Sequence, residues 1–192
     1  MAGFFILLMA DEFIDILNKD GTPTQTTALK SEAHKLGLFH KSVHLWIATP
    51  KKELIIQKRA ANKDTFPDLW DVSVAGHIGA GEEAQQALIR ETKEEIGIVV
   101  TKESLRFIGV RCSQKKPTLS IIDNEYQYLY IALLNLEVEN CKLQREEVAE
   151  LKAISIPSFE QKITKGNLTE FVPHGKDYYT LILAHINALF GS

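Results

Sequence analysis

Short apolar runs bounded by turn-forming residues dominate the chain, and only a few stretches place apolar residues at helical spacing. Glu12–Leu17 (EFIDIL) alternates as a strand does and is closed by Asn18-Lys19-Asp20-Gly21, where Asp-Gly tolerates a positive φ. Thr26 or Thr27 stands where it can cap a helix running through Ala28–Leu36, which Gly37 stops. Val43–Ala48 is the continuous apolar run of a buried strand. Glu53–Arg59 follows it across the Pro50-Lys51-Lys52 turn as the second arm of a hairpin. Residues 60–70 are irregular, and 71–75 form a brief strand leading to a glycine turn at Gly76, Gly79 and Gly81. Residues 82–96 read as one helix, in which Leu88, Ile89, Thr92 and Ile96 share an arc at about 100° per residue. Strands are predicted over 105–112 and 126–136, separated by a polar loop at 113–124, and a last one over 151–156. Pro157 opens a helix, and Tyr179, Leu181, Ile182, His185 and Ile186 mark a terminal helix over 176–189. Strands outnumber helices and no repeats occur, so the periodicity predicts an α+β domain.

Composition narrows this picture. The 192 residues, 45% hydrophobic and 24% charged, are enough for one compact domain with a sizeable core. A formal net charge of −3 leaves no global basic surface for nucleic acid, so a polyphosphate must be held by local cations or a metal. The two cysteines, Cys112 and Cys141, are no disulfide framework and suit a reducing cytoplasm. Phe4–Met9 is apolar, yet it is too short to span a bilayer and lacks the basic flank of a secretory signal. No membrane association is expected. Residues 1–11 read as a candidate N-terminal extension, of which residues 1–8 either precede a start at Met9 or add a strand or helix to the core.

The densest chemistry lies in Gly76–Ile98, GHIGAGEEAQQALIRETKEEIGI. On a helix, Glu91, Glu94 and Glu95 fall within an arc of about 100° beside the apolar one. Like charges at these spacings repel, the more so when partly desolvated, and a hard divalent cation such as Mg²⁺ or Mn²⁺ would relieve them. The plain alternative is a solvated acidic face. The spacing of Gly76, Glu82, Arg90-Glu91, Glu94-Glu95 and Gly97-Ile98 resembles the Nudix box, with Thr92 departing from the usual aliphatic residue. The resemblance implies an α/β/α sandwich with a mixed central sheet and the box helix at the active site. It implies Mg²⁺-dependent hydrolysis of a diphosphate linkage in a nucleotide or nucleotide-linked small molecule. It also assigns roles: Glu91, Glu94 and Glu95 bind or orient metal, with the Gly76 carbonyl as an extra ligand. Arg90 orients these groups by pairing with Glu82. Glu94 is the first candidate for general base, with Glu125, Glu146, Glu147 and Glu150 as alternatives.

Outside the box, Gly37-Leu38-Phe39-His40, Gln57-Lys58-Arg59 with Lys63, Phe66-Pro67-x-x-Trp70, Gly76-His77 and Asn124-Glu125 resemble the branch containing isopentenyl-diphosphate isomerase and its hydrolase relatives. That resemblance implies a metal site from His34, His40, His77, Asp123 and Glu125, and diphosphate contacts from Arg59 and Lys63. Arg59, Lys63, His77 and Glu125 form the expected substrate-binding set. Trp70 is expected in the core or as a lid, and His174 as a cleft-lining residue. The isomerases place a catalytic cysteine directly before the Gly-His pair. Here that position is Ala75, which has no transferable proton. With the box carboxylates all present, hydrolysis is favoured over isomerisation. A non-catalytic Nudix-like binding regulator is the further alternative. The expected partner is a small-molecule diphosphate, and a homodimer is compatible with the sequence.

Overall fold

The structure, a computed structural model, describes residues 11–191. The apolar run Phe4–Met9, and with it the candidate extension except Asp11, lies outside the described residues. The chain opens with a two-stranded antiparallel sheet, β1 (Phe13–Leu17) and β2 (Pro23–Leu29), followed by α1 (Lys30–Leu36). The helix predicted from Ala28 therefore starts later. Thr24 and Thr26 belong to β2, where the β-branched run suits a strand, and Thr24 Oγ1 donates to the Ile16 carbonyl at 2.7 Å. Neither Thr26 nor Thr27 caps α1, whose N-cap is Leu29. Gly37 does end it, at φ 66°, donating its N–H to the Ala33 carbonyl.

A seven-stranded mixed sheet forms the centre. Its strands are β3 (His40–Ala48), β4 (Glu53–Arg59), β5 (Trp70–Asp71), β6 (Val74–His77), β7 (Arg106–Lys115), β8 (Asp123–Leu133) and β9 (Val148–Ser155). The path runs β5-β4-β3-β8-β7, with β6 on β3 and β9 on β4, and β3–β8 is the parallel pair. Both faces of β3 are buried, so its apolar run does not alternate. Val43, Leu45 and Ile47 pack under α2 (Ala84–Ile96) with Leu88 and Ile96. Trp46 and Ala48 pack on the opposite side with Phe159 of α3 (Ile156–Thr164) and Tyr179 and Ile182 of α4 (Lys176–Leu189). This is the three-layer sandwich that the resemblance implied. Among the described residues, no helix is long and apolar enough to cross a membrane.

Three boundaries differ from the sequence reading. Residues 71–75 are split between β5 on β4 and β6 on β3. The buried Ser73 hydroxyl stitches this break, donating to the Ile55 carbonyl and accepting from the Ile47 N–H. The polar segment 113–124 is strand at both ends, at 113–115 and 123–124, with Ser113 opposite Glu125 and Lys115 opposite Asp123. Lys115 and Asp123 line a cavity, so these strand ends carry no apolar signature. α2 begins at Ala84, after Glu83 and Gln86 exchange side-chain to backbone bonds as a capping box.

The α3/α4 layer is anchored by Phe159, whose ring is 0% exposed and packs on Trp46, Phe171 and Tyr179. Phe159→Ala should destabilise the fold by about 3–5 kcal/mol. Urea unfolding monitored by circular dichroism reads this out, and a loss below about 1 kcal/mol would contradict the packing described.

Candidate functional site

The first cluster is built by β6 and α2. Gly76 lies so close to α2 that a Cβ on it would sit 2.2 Å from Glu91 Cδ, so only glycine admits the carboxylate there. Arg90 connects the surrounding elements. Its Nε and Nη2 donate to Glu82 at 3.0 and 2.9 Å, its Nη1 to Glu91 at 2.7 Å and to Glu94 at 3.2 Å. Nη2 also donates to the His77 carbonyl at 3.1 Å. Glu82 in turn accepts the Gly79 N–H at 2.9 Å and so fixes the turn. Arg90 is thereby a positioning residue and Glu82 its anchor.

The three metal-ligand candidates differ in environment. Glu94 is half exposed, whereas Glu95 is 5% exposed and receives a 3.4 Å bond from Gln57 Nε2. Burial pushes the Glu95 carboxyl well above the usual carboxylate range, and the neighbouring Glu91 adds to it. Burial likewise raises Glu91 to about 7, outweighing its pairing with Arg90. Thr92, polar where an aliphatic residue is usual, is buried without loss because its Oγ1 donates to the Leu88 carbonyl at 2.6 Å.

The second cluster gathers His34 from α1, His40 from β3, His77 from β6, and Asp123 and Glu125 from β8. His34 and His77 approach at 3.2 Å through their Nε2 atoms. The Nε2 atoms of His34 and His40 lie 3.9 and 3.8 Å from Asp123, and that of His77 lies 3.8 Å from Glu125. The Nδ1–H of His40 donates to the Leu38 carbonyl at 2.9 Å, which leaves Nε2 as a bare lone pair. That Nε2 and Asp123 Oδ1 are buried without a hydrogen-bond partner among the described residues. Burial lowers His34 to about 4 and His77 well below its usual value, so both rings are neutral at pH 7. Burial and the adjacent Glu125 raise Asp123. For Glu125, burial is outweighed by His40 and His44, which hold it below its usual value. Neutral imidazoles with two carboxylates and two orphaned buried atoms are a donor set that fits a divalent cation.

A cavity of about 550 Å³ joins the clusters. Arg59 lines it, braced by the Thr65 carbonyl at 3.0 Å, Thr65 Oγ1 at 3.1 Å and Asp71 at 3.4 Å. Lys63 lines it too, paired with Glu147. Lys30 and Lys115 supply further cations. His174 has the partners that the sequence did not disclose, with Asp71 Oδ1 2.7 Å from its Nε2 and Lys115 Nζ 3.1 Å from its Nδ1. Of the loop carboxylates weighed as bases, Glu125 and Glu147 line the cavity, while Glu146 and Glu150 do not. Trp70 packs on the α3/α4 core and is absent from the lining. Glu82 and Glu95 are not among the residues that line the cavity. Ser42, His44, Asp71, Lys115 and Gln127 line the cavity and were not singled out from sequence. The alternation of His40, Ser42 and His44 within a buried strand was the available signal for three polar groups on one face.

Comparison with known proteins agrees with this geometry. The NUDIX domain family model matches residues 38–174. Nudix hydrolase 3 of Arabidopsis thaliana is 32% identical over 170 residues, 86% of this chain, and the chain spans 22% of that plant protein's length. A Nudix hydrolase of Clostridium acetobutylicum is 33% identical over 202 residues, 91% of this chain and 97% of its own. An isopentenyl-diphosphate Delta-isomerase of Escherichia coli is 30% identical over 149 residues, covering 76% of this chain and 81% of its own. Among solved structures, a protein of Deinococcus radiodurans shares the fold with a TM-score of 0.62 at 20% identity, over 84% of this chain and 92% of that one.

Two outcomes are expected from the site. Gly76→Ala should push the Glu91 carboxylate aside and weaken Mn²⁺ binding at least about tenfold while the far-ultraviolet dichroism stays unchanged. Unaltered calorimetric Mn²⁺ affinity would contradict the close approach. Burial holds His34 at about 4 and His77 well below its usual value, whereas Glu91, with a pKa of about 7, and the raised Asp123 and Glu95 still hold protons that a cation must displace. The Mn²⁺-induced rise in melting temperature should therefore be larger at about pH 8 than at about pH 6, with proton release on binding. An equal or smaller shift at the higher pH would contradict the assigned directions.

Proposed function

The chain belongs to the NUDIX domain family, and from that premise we propose that it is a Mg²⁺- or Mn²⁺-dependent hydrolase of a diphosphate linkage in a nucleotide or nucleotide-linked small molecule. The observation that carries this reading is the arrangement of one cavity. Glu91, Glu94 and the Gly76 strand line one part of it, and Arg59, Lys63 and Lys115 supply positive charge in the same space. Glu91, Glu94, Glu95 and the Gly76 carbonyl would hold the metal. When bound, the cation neutralises charge on phosphate oxygens and lowers the pKa of a bound water. The chain's own groups do the rest. Arg59 and Lys63 hold the diphosphate, and their braces on Thr65, Asp71 and Glu147 reduce the entropy lost on binding. Arg90 keeps the acidic side chains aligned. Glu94, the most exposed of the three, is free to take a proton from the attacking water. A reducing, cytoplasmic setting suits Cys112 and Cys141, both of which are free.

A second reading is diphosphate isomerisation, favoured by the His34, His40, His77, Asp123 and Glu125 cluster. Ala75 opposes it. That residue lines the cavity where a proton donor would be required, and a methyl group transfers none.

Glu94→Gln and Glu95→Gln should each lower Mg²⁺-dependent turnover of a hydrolysed diphosphate by at least about a hundredfold with the fold retained. Unchanged turnover would refute the site assignment. Conversion of isopentenyl diphosphate to dimethylallyl diphosphate would instead favour the isomerase reading.

A further inference from the structure

Beneath the second cluster, β3 and β8 run side by side with Ser42 opposite Gln127. Both residues line the cavity, and both are almost fully buried, at 2% and 1% exposure. Ser42 Oγ and Gln127 Oε1 nevertheless lack a hydrogen-bond partner among the described residues. Gln127 Nε2 donates to Glu125 Oε2 at 2.7 Å, so the amide orientation is fixed and Oε1 is left as a pure acceptor. His44 lines the same floor, its Nδ1 2.8 Å from the Tyr178 hydroxyl. That hydroxyl already accepts from Trp46 Nε1 at 3.0 Å. Indole can only donate; directing the Tyr178 proton to His44 Nδ1 satisfies both groups, and His44 then offers the proton on its Nε2. The floor therefore offers an acceptor, a donor and a hydroxyl that can be either.

Buried polar atoms without partners cost stability, and a ligand that satisfies them recovers it. A prenyl chain would leave all three groups unpaired. A flat base wants an apolar face to stack on; beside His44 stands only the methyl group of Ala75, and the Phe66 ring in the cavity lining is already faced by Lys115 Nζ, 5.5 Å from its centroid. Hydroxyl groups both donate and accept, and neighbouring hydroxyls on a sugar ring match the mixture. We propose that Ser42, His44 and Gln127 form the specificity pocket for the non-phosphate moiety, and that the pocket takes the polyhydroxylated sugar group of a sugar-bearing diphosphate. The proposal rests on the hydrolase reading for the diphosphate, which Arg59 and Lys63 hold in the same cavity.

Calorimetric titration in Ca²⁺, with inorganic pyrophosphate, isopentenyl diphosphate, UDP-glucose, GDP-mannose, ADP-ribose and phosphoribosyl diphosphate as probes, tests this. At least one sugar-bearing probe should bind at least about tenfold tighter than pyrophosphate and isopentenyl diphosphate. Ser42→Ala and Gln127→Leu should each remove about three- to tenfold of that preference, and Ser42→Ala should leave pyrophosphate affinity unchanged. Ser42→Ala deletes one oxygen and decides the matter alone if Gln127→Leu melts early. The proposal is overturned if no sugar-bearing probe is preferred, if neither variant alters the preference, as a resident structural water would produce, or if pyrophosphate affinity falls equally. Turnover in Mg²⁺ separates the two ideas. Sugar-selective binding without hydrolysis of any probe would sink the hydrolase reading alone, and hydrolysis indifferent to Ser42 and Gln127 would sink the pocket alone.

Discussion

One guanidinium carries the architecture of the acidic face. Arg90 bonds to Glu82 on the glycine turn, to Glu91 and Glu94 on its own helix, and to the backbone of His77 on β6. It thereby locks turn, helix and strand into one geometry. Its Glu82 bonds, the largest of several contributions, hold its own proton more firmly than usual. One cation facing three carboxylates cannot balance them, and Glu95, more deeply buried, adds a fourth acidic group. In water such an excess is weakly penalised; at Glu91 and Glu95 burial raises the carboxyl pKa values, and the neighbouring carboxylates add to it. The face is therefore built with a deficit of positive charge, and the cavity it borders is where that deficit can be met.

The sheet distributes polarity along its length. Following one face of β3 from the middle toward its start, Trp46 belongs to the α3/α4 core, His44 and Ser42 line the cavity, and His40 reaches the histidine cluster. The change from oil to polar groups takes place within a single strand. α4 supports it, because Tyr178 bridges Trp46 and His44. At the cavity edge, burial of Asp71, which would raise its carboxyl, is outweighed by His174 and Arg59, so it stays charged and braces both.

What the sequence disclosed follows the distance over which information is local. The box was legible because its spacing is carried on one turn and one helix, where backbone geometry translates separation directly into direction. The histidine cluster was reachable only through family resemblance, since its members come from α1, β3, β6 and β8 and meet through the β3–β8 pairing. The floor residues Ser42, His44 and Gln127 stayed hidden for a related reason. Polar side chains on a strand normally signal a solvated face, and nothing local shows that this face lines a cavity together with Asp71, Val172 and His174. The same polar character made Ser113 and Lys115 read as loop, although they are paired strand. The strand at Thr24–Leu29 was missed because a threonine run before an apolar stretch satisfies both a helix cap and a β-strand, and pairing with β1 decided between them.

β6 explains how two cation-seeking clusters can share one cavity. Successive side chains on a strand point to opposite faces, so Gly76 looks toward α2 and yields its Cβ space to Glu91, while Ala75 and His77 face the other way. His77 completes the histidine cluster, and its carbonyl receives Arg90 of the acidic one. Any shift of this short strand must disturb both clusters together. The methyl group of Ala75 lines the same cavity and neither donates nor accepts a proton. A reactive side chain at that position would lie within the space shared by both clusters. Alanine there supplies no proton to a bound diphosphate, whereas Glu91 and Glu94 in the same cavity are groups that can exchange one with water.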